Sequence, residues 1–197
     1  MARPKEFDEP GALDAALLHF WTHGYEATSV RDLANVMGIT SASLYNTFGD
    51  KRSLFGRALD FYIEHTYADP VRRFAGQPAR EAIHSFLREI VERSLTDHER
   101  KGCMVVNAAL EMAPHDAEFA DVISKVLVDV EAFFRRCVVA GQKDGTISTA
   151  MPADDLARLL LSVFLGLRVL ARSRPERKLL DGLVRAALAT LDAGVAV

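Results

Sequence analysis

Between positions 41 and 48 the chain reads Ser-Ala-Ser-Leu-Tyr-Asn-Thr-Phe. Only Leu44 and Phe48, four apart, are spaced as helix anchors for a core. Ser41, Ala42, Ser43, Tyr45, Asn46 and Thr47 are left facing outward. A helix with two anchors and a small polar outer face suits a DNA major groove, which is about 12 Å wide and exposes base edges to such side chains. Ser41, Ala42, Ser43 and Asn46 are the predicted base readers. Tyr45 and Thr47 are predicted on the DNA backbone. Gly49 ends this helix and Asp50 caps the next, so Lys51 and Arg52 stand in a first helical turn, where the dipole disfavours cations. Contact of these two cations with a phosphate would resolve that conflict and is the expectation here; a solvated surface pair is the alternative.

The elements that must hold this helix lie just upstream. Val30, Leu33, Ala34 and Met37 fall at i, i+3, i+4 and i+7, one apolar helix face. Ser29 can cap that helix, and Asp32 occupies the capping-box position. Gly38 follows the last apolar position, and Thr40 or Ser41 can start the second helix. Two short helices around a glycine turn form a helix-turn-helix plan.

The string from Thr28 to Phe55, with T-S-V-R-D-L-A, G-I-T, S-L-Y-x-x-F-G and K-R-x-L in order, resembles the DNA-binding domain of the TetR family of bacterial regulators. LDAALLHFWTHGYEATS (13–29) matches that family's first helix and its exit. The resemblance implies that Thr28, Ser29, Arg31 and Thr40 also lie at the DNA surface, with Thr28 and Ser29 at phosphate. It implies a homodimer on a double-stranded operator and a small-molecule effector. GCMVVNAALE (102–111) resembles a string found at the same place in such regulators.

Composition sets bounds. The 197 residues are 49% hydrophobic and 26% charged, with a formal charge of −3, an ordinary globular balance. Residues 1–67 hold six Lys/Arg against nine Asp/Glu. The usual basic footprint of a nucleic-acid binder is therefore absent, and recognition must rest on geometry. Cys103 and Cys137 make no disulfide framework and no zinc spacing, which fits a reducing cytoplasm. The first residues, MARPKEFDEPG, lack the apolar core of a secretory signal, and the run Leu159–Leu167 is too short to cross a membrane. His19 and His23 are four apart but have no third ligand nearby in sequence, so no metal or other cofactor is expected.

The periodicity predicts an all-α chain of about nine helices. The first spans about 10–23, with Trp21 beneath the helix-turn-helix, and is preceded by an arm carrying Arg3 and Lys5. A fourth, about 51–67, is interrupted at Ala68-Asp69-Pro70. Others follow at about 79–96, 103–112, 116–143, 153–172 and in the last 20 residues. The helix from Ala153 is apolar nearly all round, which predicts burial on both sides, one against a second subunit. Residues 1–67 are expected to bind DNA and residues 68–197 to bind ligand and dimerise.

Polar residues inside apolar stripes mark a candidate pocket: His84, Asn107, Glu111 and Arg168, with Phe86, Met104, Phe134 and Phe164 as apolar lining. Asn107 and Glu111 share a face and could equally satisfy buried backbone groups. Cys103, at a predicted helix start after Arg100, Lys101 and Gly102, is a candidate reactive thiol or a small buried hydrophobe. The reading that accounts for residues 41–47 is a ligand-responsive regulator, a repressor released from a near-palindromic operator by a small molecule. A small α-helical enzyme lacks any catalytic signature, and a helical adaptor leaves the polar face of residues 41–47 unexplained.

Overall fold

The computed structural model describes residues 7–192. Arg3 and Lys5 lie outside them. The described residues contain helices and connecting segments and no strand. Helices α1 (Glu9–His23), α2 (Val30–Val36) and α3 (Ser41–Phe48) form the N-terminal unit, and α4 (Lys51–Ile63) packs across α1. Ala12, Ala16, Leu17 and Phe20 form the buried face of α1. Phe20 meets Phe55 edge-on at 5.1 Å, Phe55 meets Tyr25 at 5.1 Å, and Phe55 meets Phe119 at 5.3 Å. One ring on α4 thus joins α1, the α1–α2 turn and the C-terminal unit. Trp21 does not lie beneath the helix-turn-helix. It projects from another face of α1 onto Tyr62, 4.9 Å away and edge-on.

The expected interruption at residues 68–70 is not a break. A π turn (Glu64–Ala68) follows α4 and runs directly into α5 (Asp69–Phe74). Pro70 has no N–H to donate and would clash with a carbonyl four residues back. Widening the turn accommodates it: the Asp69 N–H bonds to Glu64 O, five residues earlier. Counted as one run, residues 51–74 make the helical runs nine among the described residues.

Helix α6 (Ala79–Thr96) carries Ile83, Phe86, Leu87, Ile90 and Val91 inward, and α8 (Ala117–Asp144) carries Ile123, Val130, Phe133, Phe134 and Val138. They enclose α9 (Ala153–Ser173) with α10 (Arg177–Ala189), while the short α7 (Met104–Glu111) bridges back to α4. Phe86 is the hub of the C-terminal core, with Phe133, Phe134 and Phe164 all within 5.8 Å. Helix α9 buries Leu156, Leu160, Phe164, Leu167 and Arg168 and leaves Val169 53% exposed with Leu161 and Leu165 half-buried. Its outer face is apolar but uncovered within the chain.

Candidate nucleic-acid interface and effector region

Ser29 Oγ accepts from the Asp32 N–H (3.1 Å) and Asp32 Oδ2 accepts from the Ser29 N–H (3.0 Å), closing the capping box that starts α2. The Ser29 hydroxyl, which donates to Asp32 Oδ2, and then the Ser29 N–H hold the Asp32 carboxyl below its usual pKa. Thr40 Oγ1 accepts from the Ser43 N–H at 3.1 Å and starts α3. Leu44 and Phe48 are buried, whereas Ser41, Ala42, Tyr45 and Asn46 are exposed. Ser43 and Thr47 are half-buried, and Ser43 Oγ lies 2.9 Å from Thr40 Oγ1. Arg31, exposed on α2, has no ion-pair partner among the described residues.

Three residues expected at phosphate are held by other groups of the chain instead. Thr28 is 1% exposed and its Oγ1 donates to Gly24 O at 2.6 Å. Lys51 Nζ donates to Tyr25 O and Thr28 O, both at 3.0 Å, and sits 4.1 Å from the Tyr25 ring centre. The conflict between Lys51 and the helix dipole is resolved by two backbone carbonyls. Arg52 makes a two-bond contact with Asp116 (2.7 and 3.0 Å) and reaches Glu118 at 2.6 Å. Its guanidinium keeps the Asp116 carboxyl below the usual range. The two cations are joints between elements.

The pocket candidates scatter. Phe86, Phe134 and Phe164 are fully buried and fill the core against one another, and Met104 is 2% exposed. His84 lies on a polar depression between α6 and α10, with Arg88 and Asp181. Asn107 Oδ1 accepts from Arg172 (2.8 Å), and its Nδ2 donates to Lys101 O (3.3 Å). Glu111 faces the N-terminal unit: its oxygens accept from the backbone N–H groups of Tyr25 (3.0 Å) and Glu26 (2.7 Å). His19 and His23 stack at 4.3 Å, and no group of three metal-capable residues occurs among the described residues.

Arg168 and Cys103 do come together. Arg168 is 4% exposed, and its Nη2 donates to Tyr62 Oη (2.6 Å) and Gly102 O (2.9 Å). Tyr67 Oη lies 2.6 Å from Cys103 Sγ. Burial pushes the Cys103 thiol up, but the Arg168 charge and the Tyr67 hydroxyl outweigh it and leave the thiol below its usual value. Burial, and then Cys103, push both tyrosine phenols up. Cys103 is 2% exposed, so a reagent reaches it only when its cover moves. Tyr62 and Tyr67 were not singled out by the sequence pattern. Five residues apart, they stand roughly 140° apart on a regular helix, and the π turn intervenes between them.

Two cavities flank this cluster. One, of about 260 Å³, lies between residues 63–72 and α8, lined by Ile63, Tyr67, Val71, Val126 and Val130 with Arg136 among its polar groups. The other, of about 390 Å³, is an apolar groove between α7, α8 and α9, including Val106, Leu110, Leu127, Leu165 and Val169.

The family model for "Bacterial regulatory proteins, tetR family" matches residues 12–58. That for "Tetracyclin repressor-like, C-terminal domain" matches residues 79–187. The chain belongs to the TetR family. It is a DNA-binding transcription regulator, not an enzyme. The chain is 35% identical over 195 residues to the uncharacterized HTH-type transcriptional regulator YezE of Bacillus subtilis (strain 168), covering 98% of this chain and all of that one. It is 30% identical to the HTH-type transcriptional repressor ComR of Escherichia coli (strain K12), over 86% of this chain and 82% of that one. A solved structure of a cysteine mutant of the TetR family regulator CifR, complexed with 26 bp double-strand operator DNA, superposes with a TM-score of 0.86 at 34% identity. That match covers 97% of this chain and all of that one. Among the described residues no helix is long and apolar enough to cross a membrane.

Proposed function

We propose that two copies of this chain bind a near-palindromic double-stranded operator in the cytoplasm and repress transcription until a small-molecule effector releases them. Residues 1–67 carry the DNA-binding part and residues 68–197 the effector-binding and dimerising part. The carrying observation is the face of α3: Ser41, Ala42, Tyr45 and Asn46 are exposed over two buried anchors. Placing two such helices in successive major grooves about 34 Å apart requires a symmetric pair of half-sites. Ser29, Arg31 and Thr40 flank that face. The operator complex of the CifR structure and the repressor name of the ComR relative support the same reading. The effector's action is carried by the helical run 51–74, which starts at the α1–α2 turn and lines the cavity against α8.

The test is selection of duplexes from a random DNA pool by the purified chain, followed by gel shift on the enriched sequence. The expected result is an inverted repeat bound by a dimer. Enrichment of unrelated sequences, or binding by a single copy, overturns the reading.

A further inference from the structure

One corner of the C-terminal unit grips the DNA-binding end of the molecule. Residues 111–119 end α7, turn, and start α8, and three carboxylates stand on them. Glu111, half-buried, accepts from the Tyr25 N–H at 3.0 Å and the Glu26 N–H at 2.7 Å. Among the described residues, Glu111 makes every hydrogen bond that runs from residues 68–192 to residues 7–48. Asp116 and Glu118 take the Arg52 guanidinium of α4 at 2.6–3.0 Å.

Both grips constrain angle as well as distance. Gly24 holds φ +85°, and a Cβ there would stand 3.0 Å from Glu111 Oε2, so glycine leaves the room that the carboxylate uses. Glu111 then engages two successive peptide N–H groups, and parallel charge-assisted hydrogen bonds add geometric specificity to their strength. Asp116 Oδ1 also caps α8, accepting from the Glu118 and Phe119 N–H groups at 3.1 and 3.3 Å. Phe119 in turn meets Phe55 of α4 edge-on at 5.3 Å and lies beneath Arg52, whose guanidinium is 5.0 Å from the ring centre. The corner is continuous with α8, whose 28 residues run into the core beside α9.

On a two-fold operator the separation of the paired α3 helices must match that of the half-sites. One extra base pair moves the second half-site by about 3.4 Å and turns it by about 36°. A unit attached through α4 alone could pivot to follow. A unit gripped at the turn by Glu111 and at α4 by Asp116 cannot follow without breaking a charge-assisted hydrogen bond. We propose that Glu111 and Asp116 determine which half-site spacing the protein accepts, by fixing the angle between the N-terminal unit and the dimerising helices. The inference rests on the dimeric operator reading above. Both side chains act through the turn and α4, as positioning residues.

The test rebuilds the selected operator with one or two base pairs inserted between its half-sites or removed from there. Affinities of the full-length protein are read by fluorescence anisotropy. The wild type should prefer the selected spacing. Glu111→Ala should narrow the affinity ratio between the selected operator and the one longer by a base pair about tenfold, the worth of a charge-assisted hydrogen bond. A merely structural loss would instead weaken all spacings by one common factor. If Glu111→Ala does not fold, Asp116→Asn keeps a capping oxygen for α8, weakens the Arg52 pair and should narrow the ratio in the same direction. A wild type that binds every spacing alike, or a ratio undiminished in the folded variants, overturns the proposal. The pool selection keeps the two readings apart. Absence of an inverted repeat sinks the dimeric operator reading and this inference with it, whereas an inverted repeat whose spacing preference survives in the variants sinks this inference alone.

Discussion

Glu111 Oε2 accepts a hydrogen bond from the backbone N–H of Tyr25 at 3.0 Å, across 86 positions of sequence. Its other oxygen takes the Glu26 N–H, so one carboxylate at the end of α7 holds the turn that leads into α2. From the opposite side Lys51 Nζ takes the carbonyls of Tyr25 and Thr28. The helix-turn-helix is therefore suspended between an anion of the C-terminal unit and a cation of α4. A displacement of α7 relative to α4 bears on that turn without touching α3.

Replacing Glu111 by Ala frees two backbone donors. Hydrogen bonds to charged groups contribute about 1.5–3 kcal/mol when buried, and Glu111 is half-buried, so a loss of about 1–2 kcal/mol is expected. At this length each kcal/mol corresponds to about 2–4 °C in Tm. Calorimetry of the variant checks this. An unchanged Tm would mean that water replaces the carboxylate at no cost.

Lys51 and Arg31 make an opposed pair of tests. A cation on phosphate adds about 0.9 to the slope of log affinity against log salt. Lys51→Ala should weaken binding to all sequences while leaving that slope unchanged, because Nζ is spent on two carbonyls. Arg31→Ala should flatten the slope by about one. Fluorescence anisotropy at several salt concentrations decides, and a flattened slope for Lys51→Ala would place its ammonium on the DNA.

Asn46 is the residue proposed to carry the sequence-dependent part. It is exposed on α3, and an amide that pairs with a base edge discriminates by about 1–3 kcal/mol. Asn46→Ala should change the preferred base at one position in each half-site, visible on repeating the pool selection. Retention of the wild-type preference would assign the readout to Ser41 or Tyr45.

The two cysteines should move stability with pH in opposite directions. Cys103 has a folded-state pKa below its unfolded value, so its contribution is present above the unfolded pKa and is lost as pH falls through the folded one. Cys137 is pushed up to about 11 by burial, so its contribution is present below the ordinary thiol value near 9 and is lost as pH rises towards 11. Denaturant unfolding of Cys103→Ser and Cys137→Ser from pH 6 to 10 should show the wild-type advantage over the first growing with pH, and that over the second shrinking. Parallel curves would mean that Arg168 does not stabilise a thiolate.

Local periodicity made much of the fold legible. The helix Ala79–Thr96 lies where its apolar stripe predicts, and the anchors Leu44 and Phe48 and the cap of α2 follow from spacing alone. Contacts far apart in sequence were not legible. Arg168 meets Tyr62 across 106 positions, and Lys51 turns inward to carbonyls 23 and 26 positions back. Neither leaves a trace in a helical repeat. The candidate pocket dispersed for the same reason: Phe86, Phe134 and Phe164 share buried stripes, but the stripes meet as solid packing, and the cavities open at their edges.

The outer face of α9 carries the last prediction. Leu161, Leu165 and Val169 recur every four residues on its uncovered side, Val169 is 53% exposed, and Leu110 of the adjoining groove is 77% exposed. A contiguous apolar face of this kind marks an interface, and an obligate homodimer buries upwards of about 2,000 Å² of such surface. A glutamate there leaves the monomer's own core intact, because Leu160, Phe164 and Leu167 occupy the other side of the helix. Leu165→Glu or Val169→Glu should therefore give folded monomers or insoluble chains, and the wild-type Tm should rise with protein concentration while that of a soluble variant does not. Operator affinity should fall when dimerisation is lost, since a single copy then holds only one half-site. Analytical ultracentrifugation at micromolar concentration settles it: a monomeric wild type, or a Val169→Glu variant that remains a dimer, would remove α9 from the interface.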